Sequence, residues 1–235
     1  MAGETPAQVW TRPRTDPPRR APGLDRYVAQ AIAVADVEGV EAVSMRRVAG
    51  DLGSGTASLY RYVRSREELL ALMVDRARGE PPPPDPQGEW RADLTGYAGW
   101  LRDSLLIHPW LAVELVGRPS LGPNGLRAGE SAMRAAIGLT SDIALAARAV
   151  SVVTAYVLGA VGRELAELAE QRRTGLTKEQ WQASMGSYVK RIIEAGEHPM
   201  LARRVLEVEE EDPAAAFAFG LGCVLDGLAA AARPQ

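Results

Sequence analysis

Five arginines fall within residues 44–66, at Arg46, Arg47, Arg61, Arg64 and Arg66, against one acid, Asp51. Between them runs Thr56-Ala57-Ser58-Leu59-Tyr60-Arg61-Tyr62, rich in hydroxyl groups. Guanidinium and hydroxyl groups at this density suit phosphate oxygens and the edges of bases. The chain as a whole has 235 residues and a formal net charge of -3, so the positive charge is local. Residues 80–235 carry 15 basic and 20 acidic side chains. A basic patch on an acidic protein marks a docking face for a polyanion rather than general stickiness.

A second group has different chemistry. Trp90, Tyr97, Trp100, His108, Trp110, Glu114 and Arg118 fall within residues 90–118, and Met133, Tyr156, Trp181 and Tyr188 follow. At helical spacing Tyr97, Trp100, Leu101 and Ser104 share one face, as do Trp110, Val113 and Glu114. Aromatic rings with a few polar groups line small-molecule cavities. Taken singly, each of these residues serves equally well as ordinary core or rim.

Catalysis finds little support. No nucleophile–histidine–acid set, phosphate-cradling glycine loop or His/Cys/carboxylate cluster stands out, so neither an enzyme nor a bound metal or cofactor is expected. Cys223 is the single cysteine, which excludes an internal disulfide and fits a reducing cytoplasm. His108 and His198 each precede a proline and read as structural or exposed, without metal. The acidic run 207–212 reads as a solvated face.

The elements that must position these residues are helical. Residues 1–23, with "TRPRTDPPRRAPG", read as a disordered arm whose Arg12, Arg14, Arg19 and Arg20 either add minor-groove contacts or simply hang free. Leu24, Val28, Ala31 and Ala35 predict a helix stopped by Gly39. Ser44 opens a second, with Met45, Val48, Ala49 and Leu52 on one face. Gly53-Ser54-Gly55 breaks it, and a third helix over about Thr56–Val63 buries Leu59 and Val63. Ser65 and Glu68 form a capping-box pair for a fourth. "EPPPPDPQGE", residues 80–89, reads as a rigid linker between a domain at 24–79 and another at 90–235. Beyond it helices are expected near 90–107, 109–117, 124–138, 141–173, 177–195, 199–211 and 213–232, making the chain all-α. The longest apolar runs between charged residues, Ala149–Gly162 and Ala214–Leu225, fall short of the ~18–20 residues of a membrane span and read as buried helices.

Helix, tight glycine turn and short helix together suggest a helix-turn-helix. Entering the major groove N-terminus first, the short helix would bring Thr56, Ala57, Ser58 and Arg61 to base edges. Arg46 and Arg47 would reach phosphate or the groove wall, and Arg64 and Arg66 would clamp phosphate. A solvated, charged helical hairpin would show much the same spacing.

The stretch "VSMRRVAGDLGSGTASLYRYVRSREELLALMVD" resembles the tetracycline-repressor (TetR) family of transcriptional regulators. Leu52-Gly53, Leu59-Tyr60, Val63 and Arg66-Glu67-Glu68-Leu69-Leu70 carry the likeness. "GEWRADL", "GRP" at 117–119, "VLGAV" at 157–161 and "PAAAFAFGLGCVLDGL" extend it weakly into the second domain. The resemblance implies a homodimer on a palindromic double-stranded DNA operator, usually as a repressor, with a ligand-binding C-terminal domain. By motif position it implies that Arg46, Thr56, Ala57, Ser58, Tyr60, Arg61, Tyr62 and Arg66 face DNA, with Tyr60 and Tyr62 on phosphate. It also implies a four-helix dimer interface from the helices near 141–173 and 213–232. Tyr97, Trp100, Leu101, Ser104, Trp110, Glu114, Arg118, Met133, Tyr156 and Trp181 are the expected ligand-binding set. Glu114 stands where the tetracycline repressor has a metal-coordinating histidine, so an apolar or cationic effector is expected in place of tetracycline. The fourth helix would carry the ligand signal to the DNA-reading head. The competing reading is a helical small-molecule-binding protein that no longer reads DNA.

Overall fold

A computed structural model describes residues 8–11, 22–117, 121–209 and 211–233. Among them are twelve α-helices and no strand. A single helical turn, α1 (Gln8–Thr11), precedes the head, which holds α2 (Leu24–Glu38), α3 (Met45–Asp51), α4 (Thr56–Tyr60) and α5 (Arg66–Ala77). The body holds α6 (Trp90–Ile107), α7 (Leu111–Val116), α8 (Pro123–Ile137), α9 (Ile143–Thr174), α10 (Lys178–Ala195), α11 (Pro199–Glu207) and α12 (Pro213–Ala231).

Side chains written into the sequence start these helices. Ser44 Oγ accepts from the Arg47 N–H at 3.2 Å, and Ser65 Oγ from the Glu68 N–H at 3.3 Å. Such caps satisfy N–H groups that have no partner within the helix. The expected box at Ser65 is shifted by one residue: the buried Glu68 carboxylate accepts from the Arg64 N–H at 2.8 Å. At Thr177 the box with Gln180 is complete, and Asp212 accepts from both Ala214 and Ala215. Two ends come earlier than the periodicity suggests. The chain turns at Arg61, with the Tyr62 and Val63 N–H groups both on Leu59 O, and α11 stops at Glu207. Glu209 and Glu211 beyond it would oppose the dipole at a helix C-terminus.

The head is a closed unit. Tyr27, Val28, Ala31, Val48, Ala49, Leu59, Val63, Leu69 and Met73 are buried together. At the turn Gly53 takes φ +63°, a left-handed value that suits glycine. Ser54 then locks the turn, its hydroxyl on Ala49 O at 3.2 Å and 2.8 Å from Tyr27 Oη. In the body, α6, α8 and α9 pack on one another around Leu94, Leu101, Leu105, Ala132, Ala136, Val153 and Val157, and α12 lies against α9.

Two expectations need correction, and the linker gains detail. Gln8–Thr11 lies in the supposed disordered arm, yet it is helical, and Val9 and Trp10 pack against the core. The rest of that arm, with Arg12, Arg14, Arg19 and Arg20, lies outside the described residues. The proline-rich segment 80–89 is also tied to the body, since Pro81 O accepts from Trp100 Nε1, Pro84 O from Ser131 Oγ, and Asp85 pairs with Arg134. Finally, α9 and α12 are each long and apolar enough to cross a membrane, and neither is buried as expected: only 22% and 17% of their apolar windows are covered within one chain. Each helix continues past the charged residue that bounds its apolar run, so run length underestimates the span.

Candidate nucleic-acid interface and effector site

On the head, Ala57, Tyr60 and Arg61 are exposed, and Thr56 and Ser58 are half-buried beside them. Leu59 and Val63 anchor the opposite face with no solvent exposure. A short helix thus presents small and hydroxyl side chains outward, shapes that fit against base edges. Arg46 and Arg61 are exposed, and neither makes a hydrogen bond or ion pair with a described residue. Tyr60 is 51% exposed.

The other expected DNA contacts are placed differently. Arg47 grips Glu38 at 2.6 Å and Asp51 at 2.9 Å. Those two carboxylates, Glu38 foremost, raise its pKa further above the ordinary value. Arg66 turns inward, donating from Nε to Val43 O at 2.8 Å and from Nη2 to Val40 O at 2.7 Å. It thereby ties the start of α5 to the 3-10 turn Val40–Ala42, an element absent from the expected helices. Tyr62 is half-buried with its ring 5.9 Å from that of Tyr27, and its hydroxyl is shielded from solvent. The expectation that Tyr62 meets phosphate is therefore corrected: its ring is needed for the head's core. Arg64 is exposed at the turn before α5.

In the body, the α6 face is assembled as the spacing predicts. Tyr97, Trp100, Leu101 and Ser104 are all buried, and the Tyr97 and Trp100 rings lie 5.8 Å apart. Ser104 Oγ donates to Trp100 O within the helix, and Tyr97 Oη is 3.4 Å from Thr154 Oγ1 of α9. Met133 packs on the same core from α8. Tyr156 sits between α9 and α12, donating to Phe217 O at 2.7 Å. Trp181 is on α10, 52% exposed and apart from the rest. Arg118 lies outside the described residues.

Trp110 and Glu114 belong to the seam between body and head. Trp110 Nε1 donates to Asp36 Oδ1 of α2 at 2.7 Å, and His108 Nδ1 donates to the same oxygen at 2.8 Å. Burial pushes the Glu114 carboxyl above its ordinary value, while Arg66 lowers it and Glu41 raises it. Glu114 thus feels the charges of the head as well as its own burial.

Sequence reasoning missed the second half of this seam. The buried carboxylate of Asp75, on α5, accepts from the Asn124 and Gly125 N–H groups at 2.9 Å each and from Asn124 Nδ2 at 3.1 Å. It caps α8 from a neighbouring helix. Gly122 allows the approach, since a Cβ there would lie 2.2 Å from Asp75 Oδ1 and 2.7 Å from the Trp10 ring. Beside it is a cavity of about 360 Å³ lined by Trp10, Val28, Leu72, Asp75, Arg76 and Asn124 among others. None of the α6 aromatic residues lines this cavity. The available signal was an acid three residues after Leu72, on the apolar stripe of α5.

The fold and this site define a helix-turn-helix head joined to a helical body by a polar seam. Residues 82–232 match the family described as Tetracyclin repressor-like, C-terminal domain. The chain is 38% identical over 212 residues to the HTH-type transcriptional repressor DrrR1 of Streptomyces coeruleorubidus, covering 87% of this chain and 76% of that protein. It is 25% identical over 206 residues to the class A tetracycline repressor protein from transposon 1721 in Escherichia coli, covering 86% and 88%. The TetR family protein ActR of Streptomyces coelicolor, solved in complex with actinorhodin, superposes with a TM-score of 0.73 at 31% identity, covering 91% of this chain and all of that one. The chain belongs to the TetR family of transcriptional regulators.

Proposed function

We propose that this chain is a cytoplasmic homodimeric repressor that binds a palindromic operator and is released by a small organic effector, which it binds without turning it over. The observation that carries the dimer is the outward apolar surface of α9 and α12. Phe219 is 72% exposed and Val152 46%, on helices whose apolar windows are mostly uncovered in one chain. Two such pairs meeting across a two-fold axis make a four-helix interface. Dimerisation also supplies a second head, and two heads ~34 Å apart reach successive major grooves on one side of the duplex.

In this reading Arg46, Thr56, Ala57, Ser58, Tyr60 and Arg61 meet DNA, and Arg64 approaches phosphate. Arg47 and Arg66 hold the head in shape. The effector enters the α6–α8–α9 bundle near Tyr97, Trp100, Leu101, Ser104 and Met133; ActR, solved with actinorhodin, is the supporting likeness. Movement there reaches the head through two contacts, the Asp36 pair with His108 and Trp110 and the Asp75 cap on α8. Coupling of ~1–3 kcal/mol would change operator affinity by roughly 5–150-fold.

The test is selection of bound duplexes from a random pool, with sedimentation of the same material. An enriched inverted repeat bound by a dimer is expected. The double variant Arg46→Ala, Arg61→Ala should then lose on the order of 100-fold in affinity. A monomer without sequence preference, or a double variant that binds as before, overturns the reading.

A further inference from the structure

The single turn α1 lies against the seam between head and body. Its Val9 and Trp10 are half-buried and pack on the core. Trp10 lines the seam cavity of about 360 Å³ together with Val28 of α2, Leu72 and Arg76 of α5, and Pro123 and Asn124 of α8. Its ring therefore meets two helices of the head and one of the body. A Cβ on Gly122 would lie 2.7 Å from Trp10 Cη2 and 2.2 Å from Asp75 Oδ1, so the indole edge and the carboxylate are neighbours at the N-cap of α8. That carboxylate is 5% exposed and accepts from the Asn124 and Gly125 N–H groups at 2.9 Å each. Charge-assisted bonds of this kind are strong where water is kept out. Trp10 thus covers the bonds that join α5 to α8.

Three features set this contact apart from permanent core. A buried indole ordinarily finds a partner for its N–H, and Trp10 Nε1 has no hydrogen bond with a described residue. The ring borders open cavity rather than filling its niche. And α1 is four residues long, too short to hold as a helix without the seat of Val9 and Trp10. Packing without a polar tie, beside unfilled space, suits a contact that opens at low cost. Its place on α5 also matters. Asp75 and Arg76 belong to the last turn of that helix, whose first turn is capped by Ser65 behind the DNA-reading helix. Some ten residues at 1.5 Å each put the seat roughly 15 Å along α5 from that end.

We propose that Val9 and Trp10 form an intramolecular latch: seated where α2, α5 and α8 meet, the indole keeps water from the Asp75 cap and fixes the angle of the head on the body. Trp10 is then a positioning residue, acting on DNA binding through α5 and not by touching DNA. With the latch seated each head is held at one angle, so less orientational freedom is lost when a pair of heads meets its operator. Unseated, the head keeps its closed core but swings, and operator affinity falls. That consequence rests on the repressor reading; the seat itself does not.

The experiment compares the full-length wild type with Trp10→Ala and Trp10→Phe. Amide hydrogen exchange, read by mass spectrometry on the free protein, tests the seat. Residues 122–128 should exchange about tenfold or more faster in Trp10→Ala, with residues 45–63 of the head unchanged, and Trp10→Phe should fall between. Unchanged exchange at 122–128 overturns the proposal. So does a fall of ~10 °C or more in melting temperature, which would make Trp10 part of the core. Binding to a duplex selected from a random pool tests the consequence. Trp10→Ala should bind it about fivefold or more weakly, with the dependence of affinity on salt unchanged, because Trp10 neutralises no phosphate. Equal or tighter binding, or a shallower salt dependence, overturns the positioning role. The two readings fail separately. If no duplex is enriched, the repressor reading is lost and the exchange result alone decides the seat; if a duplex is bound equally by wild type and Trp10→Ala, only this inference is lost.

Discussion

The head and the far end of the body are built on opposite principles. In the head, every α-helix from α2 to α5 contributes buried residues to one closed core, and Leu59, Val63, Leu69 and Met73 have no exposure at all. In α10 and α11 no residue is buried, and Trp181, Tyr188, Met200, Leu201, Val205 and Leu206 lie open. Both regions are helical, and side chains cap α3 and α5 in one and α10 in the other. What separates them is whether one chain supplies the other side of the packing. A helix with an apolar face and nothing against it has the sequence of a packed element without the partner. The head is finished within one chain, and the far body leaves its apolar faces uncovered by that chain.

The sharpest way to break that contrast is a charge on the open side. Phe219→Glu should cost on the order of 5 kcal/mol in dimer stability, since each copy would place a carboxylate in an apolar interface. Sedimentation should then show folded monomer with unchanged helical content. A variant that remains dimeric would mean that α12 is open to solvent in the working protein. Leu59→Ala probes the closed side. Removing a fully buried leucine should cost about 3 kcal/mol in the unfolding of the head, whatever the state of the dimer. If the loss appears only when the dimer forms, the head is not self-sufficient.

The same contrast explains what the amino-acid pattern reveals and what it hides. Helix positions come from short-range signals: Ser44, Ser65, Thr177 and Asp212 start helices, and Gly53 breaks one, because each acts on residues within a turn of itself. The outward face of the short helix is legible for the same reason, as Leu59 and Val63 fix which side is buried. Tyr62 and Arg66 are misread because their partners, Tyr27, Val40 and Val43, lie at least 23 residues away. In the body, the α6 face is legible from its own period. Trp110 and Glu114 are equally periodic, but the seam they occupy is set by the docking of α2 and α5, which no spacing encodes. Asp75 is the instructive miss. Its carboxylate sits on an apolar stripe because the N-terminus of α8, 49 residues later, needs an acceptor.

Asp75 also tests whether the seam is a third kind of region, neither closed nor open. Asp75→Ala leaves the Asn124 and Gly125 N–H groups without that acceptor in a buried setting, at a cost of about 2 kcal/mol. If the seam carries the effector signal, the variant should still bind operator and should lose response to effector. Loss of stability with coupling intact would leave Asp36 and its two donors as the working contact. A cost below about 0.5 kcal/mol would show that α8 does not depend on this cap.

The smallest effect expected is at Glu114, on the other half of the seam. Burial holds its carboxyl above the ordinary glutamate value of 4.5, with Arg66 only partly offsetting it. A raised value in the folded state means that folding favours the protonated form. Its stabilising contribution is complete below pH 4.5 and is lost as the pH rises through the folded-state value. At neutral pH the ionised carboxylate is therefore a mild burden, and Glu114→Gln should be slightly more stable than the wild type. Much of the group is open to solvent, so screening limits the gain to less than about 1 kcal/mol. The gain should shrink and disappear as the pH falls below the ordinary glutamate value, where both side chains are neutral. Parallel unfolding curves across that interval, with the same difference at pH 3 as at pH 7, would show that Glu114 acts through its shape and not through its charge.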